Sequence, residues 1–458
     1  MKLPTQICED LQLRQIFSET AVNMLLHPCD KAEIFRRQIL FSQMQSAECY
    51  TKITACIAAL RAYRRALELW RTSSHRLERH FTFAALLRMH ATVCEKLTAI
   101  ADYSEICAEF AATVHFPPKS PIKSIEQQFL ISFSDKNWIT PDGDFADEFD
   151  EISVCATNLG LSVPSKKTIG VKADESLSNA ICRLFAEDAA ALDVAMESYG
   201  DVNWNAPLDV LCMLEFFDEI YTLVKNAASH GVPYCIPRVS EHRQYIARDL
   251  CNVTLLSKHC NTIVPNDVQF TESEPFFFLI GANGGGKTTY LRTVGMNLLL
   301  YLAGCPIFAR DALIYPFKAL LTHFPADEQF NDTGRLDEEL IRANQMLADS
   351  DVFLLFNETF SGADSTRGFA LLMQTAKAIR TTGQFGLYVT HFHKVKESEF
   401  PLLSAQVDIE DANRRTYRIV RAYSGVSSYS EDVLRKYRLD RKSLDERRKN
   451  DTQSVVSE

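Results

Sequence analysis

The sequence predicts a multidomain protein of two unlike parts, a helical N-terminal half followed by an α/β half with a mostly parallel sheet. Three observations predict this. From about Leu11 to Ala112, apolar residues recur at helical spacing with few glycines or prolines, the pattern of packed helices. Beyond His230-Gly-Val-Pro233 the period changes, and short apolar runs alternate with helical stretches, as βα units feeding a parallel sheet do. The first of those runs ends in a glycine-rich turn, GANGGGKTT from Gly281 to Thr289, and a helical pattern follows from Thr288 to Ala303.

Taken in order, the helical half is interrupted at Pro117, Pro118 and Pro121. A loop-rich connector over about 117–170 follows, with an acidic run from Asp142 to Glu151 and Pro164-Ser-Lys-Lys167. Helical spacing resumes from Ser176 to Met196 and from Leu208 to Ala228. The strands of the second half are read at Phe276 to Ile280, Leu320 to Phe324, Val352 to Phe356 and Phe385 to Thr390. A hairpin is read at Gln406 to Glu410 and Thr416 to Tyr423, turning at 411–414. The domain map is a helical domain over 1–232, an α/β domain over 233–444 and a disordered tail over 445–458.

Composition narrows the class. A chain of 458 residues, 46% hydrophobic, can bury large cores and fits two or three domains. No apolar run approaches the ~20 residues that span a bilayer, and the first residues lack a basic-then-apolar leader pattern, so no membrane partner and a cytoplasmic location are expected. Thirteen cysteines without paired spacing suit reduced, buried thiols, and no structural metal is expected. A net charge of -10 argues against a uniformly basic nucleic-acid binder but leaves room for a local basic face.

The chemistry gathers at strand ends. The turn fits GxxxxGKS/T, in which backbone N–H groups of Gly281, Asn283, Gly284, Gly285 and Gly286 wrap phosphates. Lys287 reaches the β and γ oxygens, Thr288 ligates Mg²⁺, and the helix N-terminus at Thr289 faces the anion. The strand Val352 to Phe356 ends in Asn357-Glu358, where nucleotide hydrolases place an acid that steadies Mg²⁺ and a Glu that polarises water. Glu358 is therefore the candidate base. Asn357 can hydrogen-bond a metal-bound water but brings no charge, which predicts slow hydrolysis. VTHFH places His391 at another strand end as a candidate γ-phosphate sensor, with His393 an ordinary loop residue.

The ordered segments IVPNDV (Ile263 to Val268), GANGGGKTTYLRTVG (Gly281 to Gly295), GCPIFA (Gly304 to Ala309), NETFSGADSTRG (Asn357 to Gly368) and VTHFH resemble the ATPase domain of the MutS mismatch-repair family. The likeness covers about Ser240 to Leu444. It extends more weakly to DLQLRQIF (Asp10 to Phe17), FRRQILF (Phe35 to Phe41) and LDVL (Leu208 to Leu211), which resemble the family's core and lever helices. The resemblance implies an ABC-type P-loop ATPase domain after a core and lever domain, with ATP and Mg²⁺ as cofactors. It also implies a dimer, here a homodimer, whose sites are completed in trans. The matching trans stretch is Asn331 to Leu340, with Thr333, Gly334 and Arg335 as candidates. Ile263 stands where the family has an adenine-stacking aromatic, and Ser427 to Leu439 resembles the dimerisation helices. The family's mismatch-reading and connector domains find no counterpart, so mismatch recognition is not inferred.

The stretch Arg61 to His80 carries Arg61, Arg64, Arg65, Arg71, Arg76 and Arg79 and could track phosphates, although a solvated basic helix face paired with acidic neighbours is the commoner explanation. A second basic stretch, Arg435 to Lys449, is mixed with acids and is read as interface or tail. The expected function is a nucleotide-switched, MutS-like ATPase acting on DNA in mismatch repair or related maintenance. The alternative is an ATP-binding scaffold with little turnover that regulates a protein partner.

Overall fold

The computed structural model describes residues 2–114, 179, 182–183, 186–257, 263–325, 332–361, 364–407 and 415–422. The expected connector beyond 114, the helices at 427–439, the basic stretch at 435–449 and the tail lie outside the described residues. In chain order the helices are α1 (Gln6–Asp10), α2 (Glu19–Leu25), α3 (Lys31–Gln43), α4 (Ala47–Thr72), α5 (Arg76–Thr98), α6 (Glu105–Thr113), α7 (Ala186–Glu197), α8 (Ala206–Ser229), α9 (Thr254–Ser257), α10 (Lys287–Leu302), α11 (Asp332–Ala348) and α12 (Ser365–Thr382). The strands are β1 (Arg238–Val239), β2 (Tyr245–Leu250), β3 (Asn266–Phe270), β4 (Phe276–Ile280), β5 (Asp311–Ile314), β6 (Ala319–His323), β7 (Val352–Asn357), β8 (Phe385–Val389), β9 (Leu402–Val407) and β10 (Arg415–Arg421).

Contacts divide the chain into two compact units, one of Met1–Ser42 with Phe216–Glu458, the other Gln43–Glu215. The boundary thus differs from the 232/233 read from the sequence: the first 42 residues fold with the sheets. The reason is packing around α10. Its buried Gly295 lies so close to Leu11 and Leu355 that a Cβ there would fall 2.8 Å and 2.6 Å from their methyls. At the other end of α10, the Cys29 N–H donates to the Leu302 carbonyl at 2.8 Å and Arg37 Nη1 to the Ala303 carbonyl at 3.1 Å, satisfying acceptors that a helix end leaves open. Helical spacing in the sequence reveals helices but not which layer they cover.

The larger sheet has the order β10-β9-β4-β8-β7-β6. Every pair from β9 to β6 is parallel, and β10 pairs β9 antiparallel; β9 starts at Leu402, four residues before the strand expected at 406–410, and the expected turn lies outside the described residues. All residues of β4, β6 and β8 are buried, which is why they read as continuous apolar runs: a parallel sheet is covered on both faces. A second sheet, β1-β5-β2-β3, is antiparallel on both sides of β2 and was not foreseen.

The unit Gln43–Glu215 is built on α4 packed along α5. Near their connection Trp70, Phe83, Tyr199 and Trp204 form an aromatic cluster, with Trp70 and Trp204 ring centroids 5.7 Å apart, Phe83 and Tyr199 5.6 Å apart, and the Tyr63 hydroxyl donating to the Trp204 carbonyl at 2.8 Å. The eleven described cysteines are free thiols; seven are buried, but Cys212 is exposed, contrary to a uniformly buried set. No described helix is long and apolar enough to cross a membrane.

Candidate functional site

The register of the larger sheet sets the site. Leu279 and Asn357 both pair with Val389, so β4, β7 and β8 end level, and the segments leaving them meet at one edge. From β4 the chain enters the glycine loop. Gly286, the residue before α10, has φ 88°, in the left-handed region that side chains resist, and a Cβ there would sit 3.3 Å from the Tyr417 ring. Lys287 is buried, and its Nζ donates to the carbonyls of Gly281 (2.8 Å) and Ala282 (3.2 Å) and to Asn283 Oδ1 (3.4 Å). Burial holds its pKa below the usual lysine value; the Glu358 charge opposes that and Arg415 adds to it. The loop therefore folds its own cation inward, with Gly284 and Asn283 exposed at its tip.

Strand β7 brings the second half. Thr288 Oγ1 donates to Asn357 Oδ1 at 3.2 Å, so the two expected Mg²⁺ ligands lie side by side. A hydroxyl and an amide oxygen are donors of the kind Mg²⁺ takes while keeping several waters. Glu358 follows at φ 49°, half-buried, its N–H donating to the Val389 carbonyl at 2.8 Å.

Other predicted residues fall as follows. His391, two residues past β8, is exposed with its ring 4.3 Å from that of Phe392. Ile263 is half-buried in the segment leading to β3. Thr333, Gly334 and Arg335 occupy the first turn of α11, with their side chains outside the described residues. Two arginines of the basic stretch are charge-paired within their own unit. Arg61 pairs with Glu215 at 2.7 Å, Arg76 pairs with Asp193, Arg71 donates to Asn205 at 2.9 Å, and Arg79 lies over the Trp70 ring; Arg64 and Arg65 are exposed.

Sequence reasoning missed β10 as part of the site. Tyr417, at φ 57° in a β-bulge, lies against Gly286, and Asn266 of the VPND segment pins it. Asn266 Nδ2 donates to the Tyr417 carbonyl at 3.1 Å, while the Ile419 N–H donates to Asn266 Oδ1 at 2.7 Å. The only available signal was an asparagine inside a quoted motif; the residue 151 positions away that it holds could not be read from the pattern.

These features define a class, an α/β protein with a strand, glycine loop and buried helix facing an acid-bearing turn. Residues 277–432 match the family model for MutS domain V. The chain is 24% identical over 196 residues to the DNA mismatch repair protein MutS of Streptococcus uberis, covering 39% of this chain and 23% of that protein. It is 27% identical over 194 residues to the DNA mismatch repair protein MSH2 of Saccharomyces cerevisiae, covering 40% and 20%. It is 30% identical over 216 residues to the endonuclease MutS2 of Streptococcus suis, covering 44% and 26%. The similarity to the MutS family thus lies in the part of the chain that matches domain V. It spans about a quarter of the length of these relatives.

Proposed function

We propose that this chain binds and hydrolyses ATP with Mg²⁺ and acts as a nucleotide-switched dimer on DNA, in mismatch repair or a related maintenance process. One observation carries the reading: the Thr288 hydroxyl, one residue from Lys287, meets Asn357, so the loop and the Glu358 turn form a single site. In this reading ATP phosphates displace the loop carbonyls from Lys287 Nζ, and the N-terminal N–H groups of α10 face them. Thr288, and Asn357 through water, would hold Mg²⁺, which would supply charge neutralisation at the phosphates. Glu358 accepts the proton of the attacking water, His391 senses the γ-phosphate, and Thr333 to Arg335 of a second copy complete the site. With Asn357 in place of an acid, the metal is held more loosely and turnover is slow.

Support for the DNA arm is the naming of relatives as DNA mismatch repair proteins. The ion pairs of Arg61 and Arg76 weaken the case for that helix face as the contact, while Arg64 and Arg65 are exposed. The test is steady-state ATP hydrolysis by the purified chain, with and without duplex and branched DNA, against Glu358→Gln. Turnover that is lost in the variant and altered by DNA is the expected result. Binding of ATP with no turnover above the variant under any condition replaces this reading with that of a scaffold for a protein partner, to which Asn357 points.

A further inference from the structure

The turn that presents Glu358 has a hydrogen bond of its own, from the Ser361 N–H to the Glu358 carbonyl at 3.2 Å, and is buttressed from outside. Glu358 has φ 49° and Phe360 φ 66°, both in the left-handed region and neither a glycine, a combination that persists only where surrounding structure imposes it. The imposing contacts come from three elements. The Phe360 N–H donates to Glu339 Oε2 of α11 at 2.9 Å in a buried bond. The Tyr388 hydroxyl of β8 donates to the Thr359 carbonyl at 3.0 Å. Thr359 Oγ1 lies 3.2 Å from Nδ1 of His323, the last residue of β6. Behind the turn, Gly368 of α12 is so close that a Cβ would fall 2.7 Å from the Phe360 carbonyl oxygen.

The imidazole's hydrogen follows from its partners. His323 Nε2 is 3.2 Å from the Glu339 carbonyl oxygen, which only accepts, so Nε2 carries the hydrogen and Nδ1 accepts from the Thr359 hydroxyl. Glu339 thus acts twice, its main-chain oxygen orienting His323 and its carboxylate holding Phe360. His323 is 1% and Glu339 8% exposed, so neither side chain is placed to meet a ligand directly.

We propose that Glu339 and His323 are positioning residues that hold Glu358 in its working orientation through Phe360 and Thr359. The inference rests on the reading of Glu358 as the catalytic base. Removing the carboxylate leaves the Phe360 N–H buried without its acceptor and frees the turn to relax toward ordinary backbone angles, moving Glu358 while the phosphate loop is untouched.

The experiment compares wild type, Glu358→Gln, Glu339→Ala, Glu339→Gln and Thr359→Val for kcat, for equilibrium binding of a fluorescent ATP analogue, and for hydrogen exchange at the Phe360 amide. Glu339→Ala is expected to lower kcat about tenfold or more with analogue affinity within about twofold, and to speed Phe360 exchange by about tenfold. Glu339→Gln, whose amide oxygen still accepts from Phe360, is expected to recover most of both. Should Glu339→Ala fail to fold, Thr359→Val, which cuts only the His323 link, is expected to lower kcat about threefold at unchanged affinity. Turnover that requires Glu358 but is unchanged in Glu339→Ala and Thr359→Val overturns this inference alone. Wild-type turnover no faster than Glu358→Gln overturns the ATPase reading and the inference with it.

Discussion

The loop Gly281 to Thr289 and the turn Asn357 to Ser361 leave β4 and β7, the two strands that flank β8 in one sheet, yet they are held in opposite ways. The loop reaches left-handed angles with glycines, at φ 138° for Gly281, 72° for Gly284 and 88° for Gly286, and binds its own lysine to its own carbonyls. The turn reaches the same region with Glu358 and Phe360 and depends on Glu339, His323 and Tyr388 from elsewhere in the chain. The glycine loop is thus a local object that its composition specifies. The acid opposite is a tertiary object, and substitutions far from it in sequence reach it.

The largest effect should come from breaking the loop at its cation. Lys287→Met is expected to reduce ATP turnover by about 10²–10³-fold, the scale of losing a preorganised charge at developing negative charge, measured by steady-state hydrolysis. Next is a pH effect on the turn side. Burial depresses the His323 pKa from 6.5 to about 4, so between those values the unfolded chain binds the proton more readily than the folded one. Stability from this group is complete above pH 6.5 and falls by about 3 kcal/mol as pH drops through that window. Asp10, whose carboxyl burial raises, works in the opposite sense. Unfolding midpoints recorded from pH 7 to 4.5 should decline more steeply in wild type than in His323→Gln; equal slopes would remove His323 from the account.

Gly286→Ala should cost about 1–2 kcal/mol in strain at its left-handed angle, before any shift of the Tyr417 ring. ATP affinity is then expected to weaken by about tenfold in an equilibrium titration. If affinity holds, the loop is not as locally determined as the comparison states. Asn357→Asp is the smallest change, adding one charge beside Thr288; turnover is expected to rise by about fivefold. Brisk wild-type hydrolysis unaffected by the substitution would show that the amide is no handicap.

Much of this architecture was legible in the residues. The apolar runs at 276–280, 352–356 and 385–390 mark buried parallel strands because such strands have no solvent face to interrupt them. The hairpin at β9 and β10 and the helix behind the loop were legible for similar reasons of period. The second sheet was missed although β2 carries a partly alternating burial pattern, since six residues of alternation without a turn signal are weak beside long helical stretches. Asn266, His323 and Glu339 were invisible as contributors to the site: each is an ordinary polar residue whose partner lies 151, 36 or 21 positions away.

By itself, then, the sequence determined what depends on neighbours along the chain: the period of each element, the glycines that free the loop, the lysine and threonine that follow them, and the acid at the end of β7. The tertiary structure decided what depends on neighbours in space. It placed residues 1–42 with the sheets, set Tyr417 against the loop, paired away Arg61 and Arg76, and clamped Glu358 in a backbone conformation its own residues disfavour. The physical reason is range: backbone propensity and side-chain periodicity act over a few residues, whereas buried hydrogen bonds and packing are chosen only once the chain has folded.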